Sequence, residues 1–306
     1  MGRNKKKDPV RFNYYLIAFI DILNQKESLQ KFKRLPVTAD EKETFSQVIR
    51  ETFGVVDGFR TSFEKFFSEK VKSTIPMEMI PEEHRQMFIE ARKTEVKFQG
   101  FSDTIVVYVS LNDETIKAPI NGVFAALAAC ASTFLISLAI GHVCRGGIEI
   151  GWASEFYEGE IYGSALLDAY HLESEVAQYP RIVIGDQVIN YLMSMKRAEG
   201  SDPLTKIGSQ MADFCLSLFA RDVDGNLILD YLGEGFKKHM APNGFVGDFK
   251  DIPKKAYKFA EKELEKWREA RNTKLSIRYN LLLNYLNARL PLWEDNNGPK
   301  SEASKS

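Results

Sequence analysis

One stretch limits what this chain can fold into more than any other: from Ala118 to Val143 no Asp, Glu, Lys or Arg occurs. Its centre, Gly122–Ile140 (GVFAALAACASTFLISLAI), is long enough as a helix to cross a bilayer. Such a helix has two homes, lipid or the interior of a protein large enough to surround it. Gly122, Ala125, Ala126, Ala128, Ala129 and Ala131 are small, which suits close packing against a sheet. Lys117 stands alone before the stretch, without the basic flank that sets topology in a membrane. At 306 residues and 44% apolar, the chain can build an interior of that size as one large domain or two ordinary ones. The expectation is a buried helix and no membrane span, with a membrane-anchored sensor as the competing reading.

Charge narrows the partners. Lys and Arg number 41 against 42 Asp and Glu, a formal balance of −1. This excludes a wholly disordered chain and a strongly basic protein coating a polyanion, so no stable nucleic-acid complex is expected. Cys130, Cys144 and Cys215 are the only cysteines and none are at C-x-x-C spacing, which points to a reducing, cytoplasmic setting without a cysteine zinc site. Gly2–Arg11 is basic, and the apolar run Tyr14–Ile20 after it is broken by Asp21 with no small-residue cleavage site, unlike a signal peptide. Residues 1–12 read as a basic disordered N-terminus and 294–306 as a disordered tail.

Periodicity supplies the elements between these ends. Asn13–Leu23 (NYYLIAFIDIL) reads as a buried strand, and Lys26–Lys33 and Ala39–Ser73 as helices, the second with Phe45, Ile49, Phe53, Phe59, Phe63 and Phe67 as a core-facing series. Val96–Phe98 and Thr104–Val109 predict a hairpin with a glycine-containing turn over residues 99–103. Gly146–Ile150 and Ile182–Ile184 read as strands, Ala165–Ala177 as a helix, and Phe214–Phe219 with Leu227–Leu232 as a hairpin through Asp224-Gly225. From Ile252 to about Asn287 apolar residues recur at helical spacing, as a helix or a helical pair. Hairpins need antiparallel pairing and the sheet needs helices to cover it, so the fold class is α+β. No G-x-G-x-x-G follows a strand and no P-loop motif occurs, which disfavours dinucleotide enzymes and P-loop NTPases.

Two aspartates stand where packing alone would not put them. Asp21 ends an apolar strand in Phe19-Ile20-Asp21-Ile22-Leu23, and Asp103 precedes the strand that begins at Thr104. A carboxylate at the edge of a buried strand is costly unless something positive neutralises it. If the first strand pairs with the hairpin, both carboxylates reach one end of the sheet and could hold hard cations; otherwise each is a strand-ending loop residue.

Four segments in order resemble the motifs of class III nucleotidyl cyclases: Phe19-Ile20-Asp21-Ile22, Phe101-Ser102-Asp103-Thr104-Ile105, Arg145-Gly146-Gly147-Ile148-Glu149-Ile150-Gly151, and the run from Tyr162 to Ser174 (YGSALLDAYHLES). The resemblance covers about Asn13 to Leu232. Its nearest variant is the stand-alone pyrimidine cyclases of bacterial Pycsar anti-phage signalling, which Gln178–Gly185 (QYPRIVIG) also resembles. It implies a ferredoxin-like catalytic domain over 13–250, with 251–293 as a C-terminal helical extension. It implies two divalent metal ions, Mg²⁺ or Mn²⁺, on Asp21, Asp103 and the carbonyl of Ile22. Asn24, Gln25 and Lys26 would offer backbone N–H groups to phosphate. The substrate would be a nucleoside triphosphate, and the enzyme a homodimer with composite sites across its two-fold axis.

The departures from the family are as informative. Its base-reading lysine and aspartate fall on Gln99 and Glu160, neither the adenine nor the usual guanine pair, which favours a pyrimidine, UTP ahead of CTP. Its ribose-orienting asparagine falls on Leu167, expected to pack, and its transition-state arginine on His171, which either donates to the triphosphate or is a surface residue. Arg145 is expected to pair with a carboxylate for structure, while Arg181 and the lysines of the C-terminal helices are candidate replacement cations. Three functions follow: a uridylate cyclase making 3′,5′-cyclic UMP and pyrophosphate in anti-phage defence, a cytidylate cyclase, or a catalytically weak nucleotide-binding or interaction protein.

Overall fold

The computed structural model describes residues 12–23, 30, 32–73, 78, 81–91, 93–111, 119–200, 203–240 and 251–294. Strand β1 (Asn13–Ile22) lies inside an eight-stranded sheet, paired antiparallel with β3 (Thr104–Ser110) on one side and β4 (Cys144–Tyr157) on the other. Beyond β3 lies β2 (Lys97–Phe101). Beyond β4 come β6 (Ile182–Ile184), β8 (Leu227–Leu229) and β7 (Phe219–Arg221), and β4 with β6 is the parallel pair in an otherwise antiparallel sheet. The short β5 (Glu160–Gly163) pairs with the far end of β4 and lies off the main path. The architecture is α+β, as the hairpin signals required.

Strand alternation sorts the sheet into two faces. Leu16, Ala18, Ile20 and Ile22 of β1, with Ile105, Val107 and Val109 of β3, enter the larger core. Its helical cover includes α1 (Ala39–Ser73) and α3 (Pro119–Ala139). The uncharged stretch is α3, and 89% of its most apolar window is buried inside the fold, so its apolarity is spent on the core. Gly122 makes the approach to the sheet possible: a Cβ there would sit 2.9 Å from Cγ1 of Val109. The opposite face is smaller, with Tyr15, Ile17, Val106 and Tyr108 covered by Ala153, Ile161 and by Ala165 and Ala169 of α4 (Ser164–His171).

Helix α1 starts at a reciprocal cap. The Glu41 amide donates to Thr38 Oγ1 at 3.2 Å while the Glu41 carboxylate accepts from the Thr38 and Val37 amides at 3.1 and 2.8 Å. Its range matches the sequence expectation, but its aromatic series divides. Phe59, Phe63 and Phe67 are buried, whereas Ile49 and Phe53, in the N-terminal half, are exposed.

Other expectations shift. The β2–β3 turn is Ser102-Asp103, with Phe101 paired to Thr104, so Gly100 lies within β2 and Ser102 takes the left-handed conformation at φ 57°. The helix expected over 165–177 changes at His171 into a π-helical turn (Leu172–Val176). Residues 214–216 end α6 (Pro203–Leu216), which follows α5 (Asp186–Arg197), and the hairpin strand begins only at Phe219. Helices α2 (Glu82–Ala91) and α7 (Glu234–Met240), together with α5, α6 and β5, lie outside the sequence expectations, although α5 and α6 are amphipathic.

The C-terminal extension is a helical pair, α8 (Ile252–Glu269) and α9 (Thr273–Arg289). Ala256, Ala260, Leu264, Leu282 and Leu286 enter the same core as the sheet. Polar contacts fix it at the end of β8: Tyr285 OH donates to Asp230 at 2.8 Å, the Leu232 amide donates to Tyr285 OH at 3.1 Å, and Arg289 Nε reaches Asp230 at 3.0 Å. The segments expected at 26–33 and the two termini fall largely or wholly outside the described residues, as do 241–250, where the catalytic domain was expected to end.

Candidate functional site

Because Ile20 and Ile22 point into the larger core, Asp21 between them is directed to the opposite face, at the end of β1. It lies opposite Thr104 on β3 and opposite Arg145 on β4. The Ile22 amide donates to the Asp103 carbonyl at 3.0 Å, tying the end of β1 to the turn that carries the second aspartate. Burial raises the Asp21 carboxyl above its ordinary range; Arg145 opposes that rise and the neighbouring Asp103 adds to it. The structure therefore brings Asp21 and Asp103 together.

Arg145 lies between two acids. Its Nε is 2.5 Å from Glu173 Oε1 and 3.7 Å from Asp21 Oδ2. The Glu173 contact is an ion pair without an aligned hydrogen bond, and both atoms are buried. Burial pushes the Glu173 carboxyl up to about 7, with Arg145 opposing and Asp21 contributing. The expected structural carboxylate partner of Arg145 is thus Glu173, in the π-helical turn. A trace of this was present in the sequence: Ala165, Ala169 and Glu173 recur every four residues, a carboxylate continuing a buried helical stripe. Gly147 lets that turn sit on β4, since a Cβ there would meet the Ala169 carbonyl and lie 2.5 Å from Leu172 Cβ and 2.9 Å from the Glu173 amide nitrogen.

Glu149, in the same motif, has a different task. It accepts from the Ile150 and Val188 amides at 2.9 and 3.1 Å, capping the N-terminus of α5 where Gly185 offers no side chain. Arg278 of α9 is a cation the sequence reading did not single out. Burial, then the nearby Arg145 guanidinium, lowers its pKa, so the extension carries positive charge toward this corner. Arg181 is not a free cation: it is 3% exposed and pairs with Asp222 and Asp224.

The proposed base-reading residues meet in a second corner. Gln99 Oε1 accepts from the Ile161 amide at 3.0 Å, so Gln99 lies beside the exposed Glu160. Glu155 holds this corner closed, accepting from Lys97 at 2.6 Å, Tyr108 OH at 3.0 Å and the Gly159 amide at 3.0 Å. Leu167 and His171 lie one turn apart on the outward side of α4. Leu167 is 62% exposed, which corrects the expectation that it packs: within one chain it covers nothing large. Tyr162 and Tyr170 are exposed with it. Asn24, Gln25 and Lys26 lie outside the described residues.

Among the described residues no three of His, Cys, Asp and Glu converge as a ready-made metal cage. A cation held by Asp21 and Asp103 would take its remaining ligands from main-chain carbonyls, water or substrate phosphates, which is how Mg²⁺ is usually bound. The donor set fits that mode. The three cysteines are free and buried, and burial raises each thiol pKa, so none is a ready nucleophile. Comparison with known proteins gives no significant match to a family profile, a curated protein or a solved structure.

Proposed function

We propose that the chain is a nucleotidyl cyclase with a ferredoxin-like class III core, converting a pyrimidine nucleoside triphosphate, UTP ahead of CTP, into its 3′,5′-cyclic monophosphate. The observation that carries this reading is the meeting of Asp21 and Asp103, far apart in sequence, at one end of the β1–β3 ladder. Bound there with the carbonyl of Ile22 as a further ligand, two divalent ions would lower the pKa of the ribose 3′-hydroxyl and neutralise the triphosphate. With its proton lost to water, the 3′-oxygen would bond to the α-phosphorus as the bond from that phosphorus to the bridging oxygen of the β-phosphate breaks, releasing pyrophosphate. The chain's own work is positioning: Asp21 and Asp103 fix the charge centre, and Gln99 and Glu160 read the base.

Gln99 favours this division of roles. With Oε1 accepting from the Ile161 amide, Gln99 would offer its NH₂ donor and the neighbouring Glu160 its carboxylate acceptor, a donor and acceptor pair suited to a pyrimidine edge. The exposed side of α4, with Leu167, Tyr170 and His171, supports a homodimer in which one copy's α4 faces the other copy's carboxylates. The buried free cysteines agree with a cytoplasmic setting, and the motif resemblance supports a role in anti-phage signalling. One observation favours a catalytically weak nucleotide-binding protein instead: the exposed Leu167 cannot hydrogen-bond a ribose.

Incubation with Mn²⁺ and each of the four nucleoside triphosphates, with product identification, separates these readings. Cyclic UMP is expected from UTP, and none from the Asp21→Ala or Asp103→Ala variants. Cyclic CMP alone would make the enzyme a cytidylate cyclase, and the absence of any cyclic product would overturn the enzyme reading.

A further inference from the structure

Arg145 poses a problem for any cation at Asp21. The two residues face each other across the β1–β4 ladder, and the guanidinium already stands 3.7 Å from Asp21 Oδ2. A guanidinium settled on that carboxylate would occupy the oxygens a metal ion needs and add a like charge beside it. The side chain is drawn instead to Glu173, at 2.5 Å.

Glu173 is an expensive residue to keep there. It is 3% exposed, and an apolar side chain of similar volume would fill the position at lower desolvation cost. Its place is also closely specified: the π-helical turn brings it over Gly147, where the absence of a Cβ is required for the approach. The closest contact of the pair, Arg145 Nε to Glu173 Oε1, is an ion pair rather than an aligned hydrogen bond.

We infer that Glu173 is a positioning residue that holds the Arg145 guanidinium off Asp21, so that the Arg145–Glu173 pair sets how tightly Asp21 takes a divalent cation. This rests on the reading of Asp21 and Asp103 as the cation-binding pair. Removing the Glu173 charge leaves Asp21 as the nearer attraction for Arg145, and the cation site weakens. Removing the Arg145 charge leaves nothing for Glu173 to hold, and the site no longer depends on Glu173.

The test is Mn²⁺ binding to the full chain without nucleotide, followed by the electron paramagnetic resonance signal of free Mn²⁺. At about pH 8, where the Glu173 carboxyl is mostly ionised, Glu173→Gln is expected to weaken binding roughly fivefold and Arg145→Met to tighten it roughly tenfold, the scale of a solvent-screened unit charge a few ångströms away. Arg145→Lys, which keeps the charge, should stay near the wild type. In the double variant Glu173→Gln with Arg145→Met, affinity should equal that of Arg145→Met alone. A residue that merely supports the fold would cost the same in both backgrounds, and that result overturns the inference, as does wild-type affinity in Glu173→Gln. Thermal melting accompanies each variant; if Glu173→Gln does not fold, Glu173→Asp should weaken binding in the same direction, and unchanged affinity there also overturns the inference. If Mn²⁺ does not bind the wild type, or binds as well to Asp21→Asn and Asp103→Asn, the cation-site reading falls and this inference with it. If Mn²⁺ binds through the aspartates but without coupling to Arg145, only the inference falls.

Discussion

Gly147 shows how much a single missing side chain can decide. Its neighbours are the Ala169 carbonyl, Leu172 and the Glu173 backbone, none of which is a flexible side-chain end that could swing aside. Gly147→Ala should therefore lift the π-helical turn from β4 and take Glu173 with it, costing about 1–3 kcal/mol in overpacking. A urea melt measures this, and a variant as stable as the wild type would contradict the close packing. At this scale the sequence was partly readable. The aspartates, Arg145 and the paired glycines were visible as residues out of keeping with plain packing. Glu173 left only a trace, a carboxylate continuing the Ala165–Ala169 stripe, and its pairing with Arg145 was hidden because it depends on how the π-helical turn sits on β4. Nor did the sequence show that Ser102 would take the left-handed conformation, since Gly100 two residues earlier is the more natural occupant of it.

Elements were legible where a pattern was long or strongly alternating. Ala39–Ser73, Ile182–Ile184 and the helical pair after Ile252 follow their sequence signals closely. Residues 214–216 were misread because a short apolar run serves the end of a helix as well as a strand. The β7–β8 hairpin has its own electrostatic pin: Arg181 pairs with Asp222 and Asp224, donates to the Val176 carbonyl at 2.8 Å, and lies over the Tyr179 ring. Hydrogen bonds from Arg181 hold the Asp224 carboxyl well below its ordinary value of 3.8, outweighing burial. The folded state thus favours the ionised form, so this stabilisation is complete above the ordinary carboxylate pKa and fades as pH falls through the lowered one. Asp224 is 40% exposed on its side chain, so with solvent screening the effect is about 0.5–1 kcal/mol. Melting temperatures of Asp224→Asn and the wild type, compared from about pH 5 down to about pH 2, should show a gap that narrows toward the acid end. A constant gap across that range would show that the ion pair does not contribute.

At the scale of the whole molecule, the exposed side of α4 could not be foreseen from one sequence, because periodicity shows which residues share a face and not whether a second chain covers it. The composite-site reading makes a quantitative demand. Asp21→Ala should abolish turnover through the metal side of a site, and Glu160→Ala should impair it through the base side. Mixed in equal amounts and allowed to exchange, the two should recover up to about a quarter of wild-type activity, since half the dimers are mixed and each of those has one intact site of two. No recovery would mean that each site belongs to one chain.

The buried helix α3 has a consequence in time as well as in space. It packs against α1, which precedes it in the chain, but also against α6 and α8, which follow it. While the chain is being synthesised, part of its most apolar element therefore has no cover, and the cover is completed only after α8 has left the ribosome. The C-terminal helices thus close a period of aggregation risk, and a nascent chain stalled before Ile252 would present α3 to whatever apolar surface or chaperone it meets first.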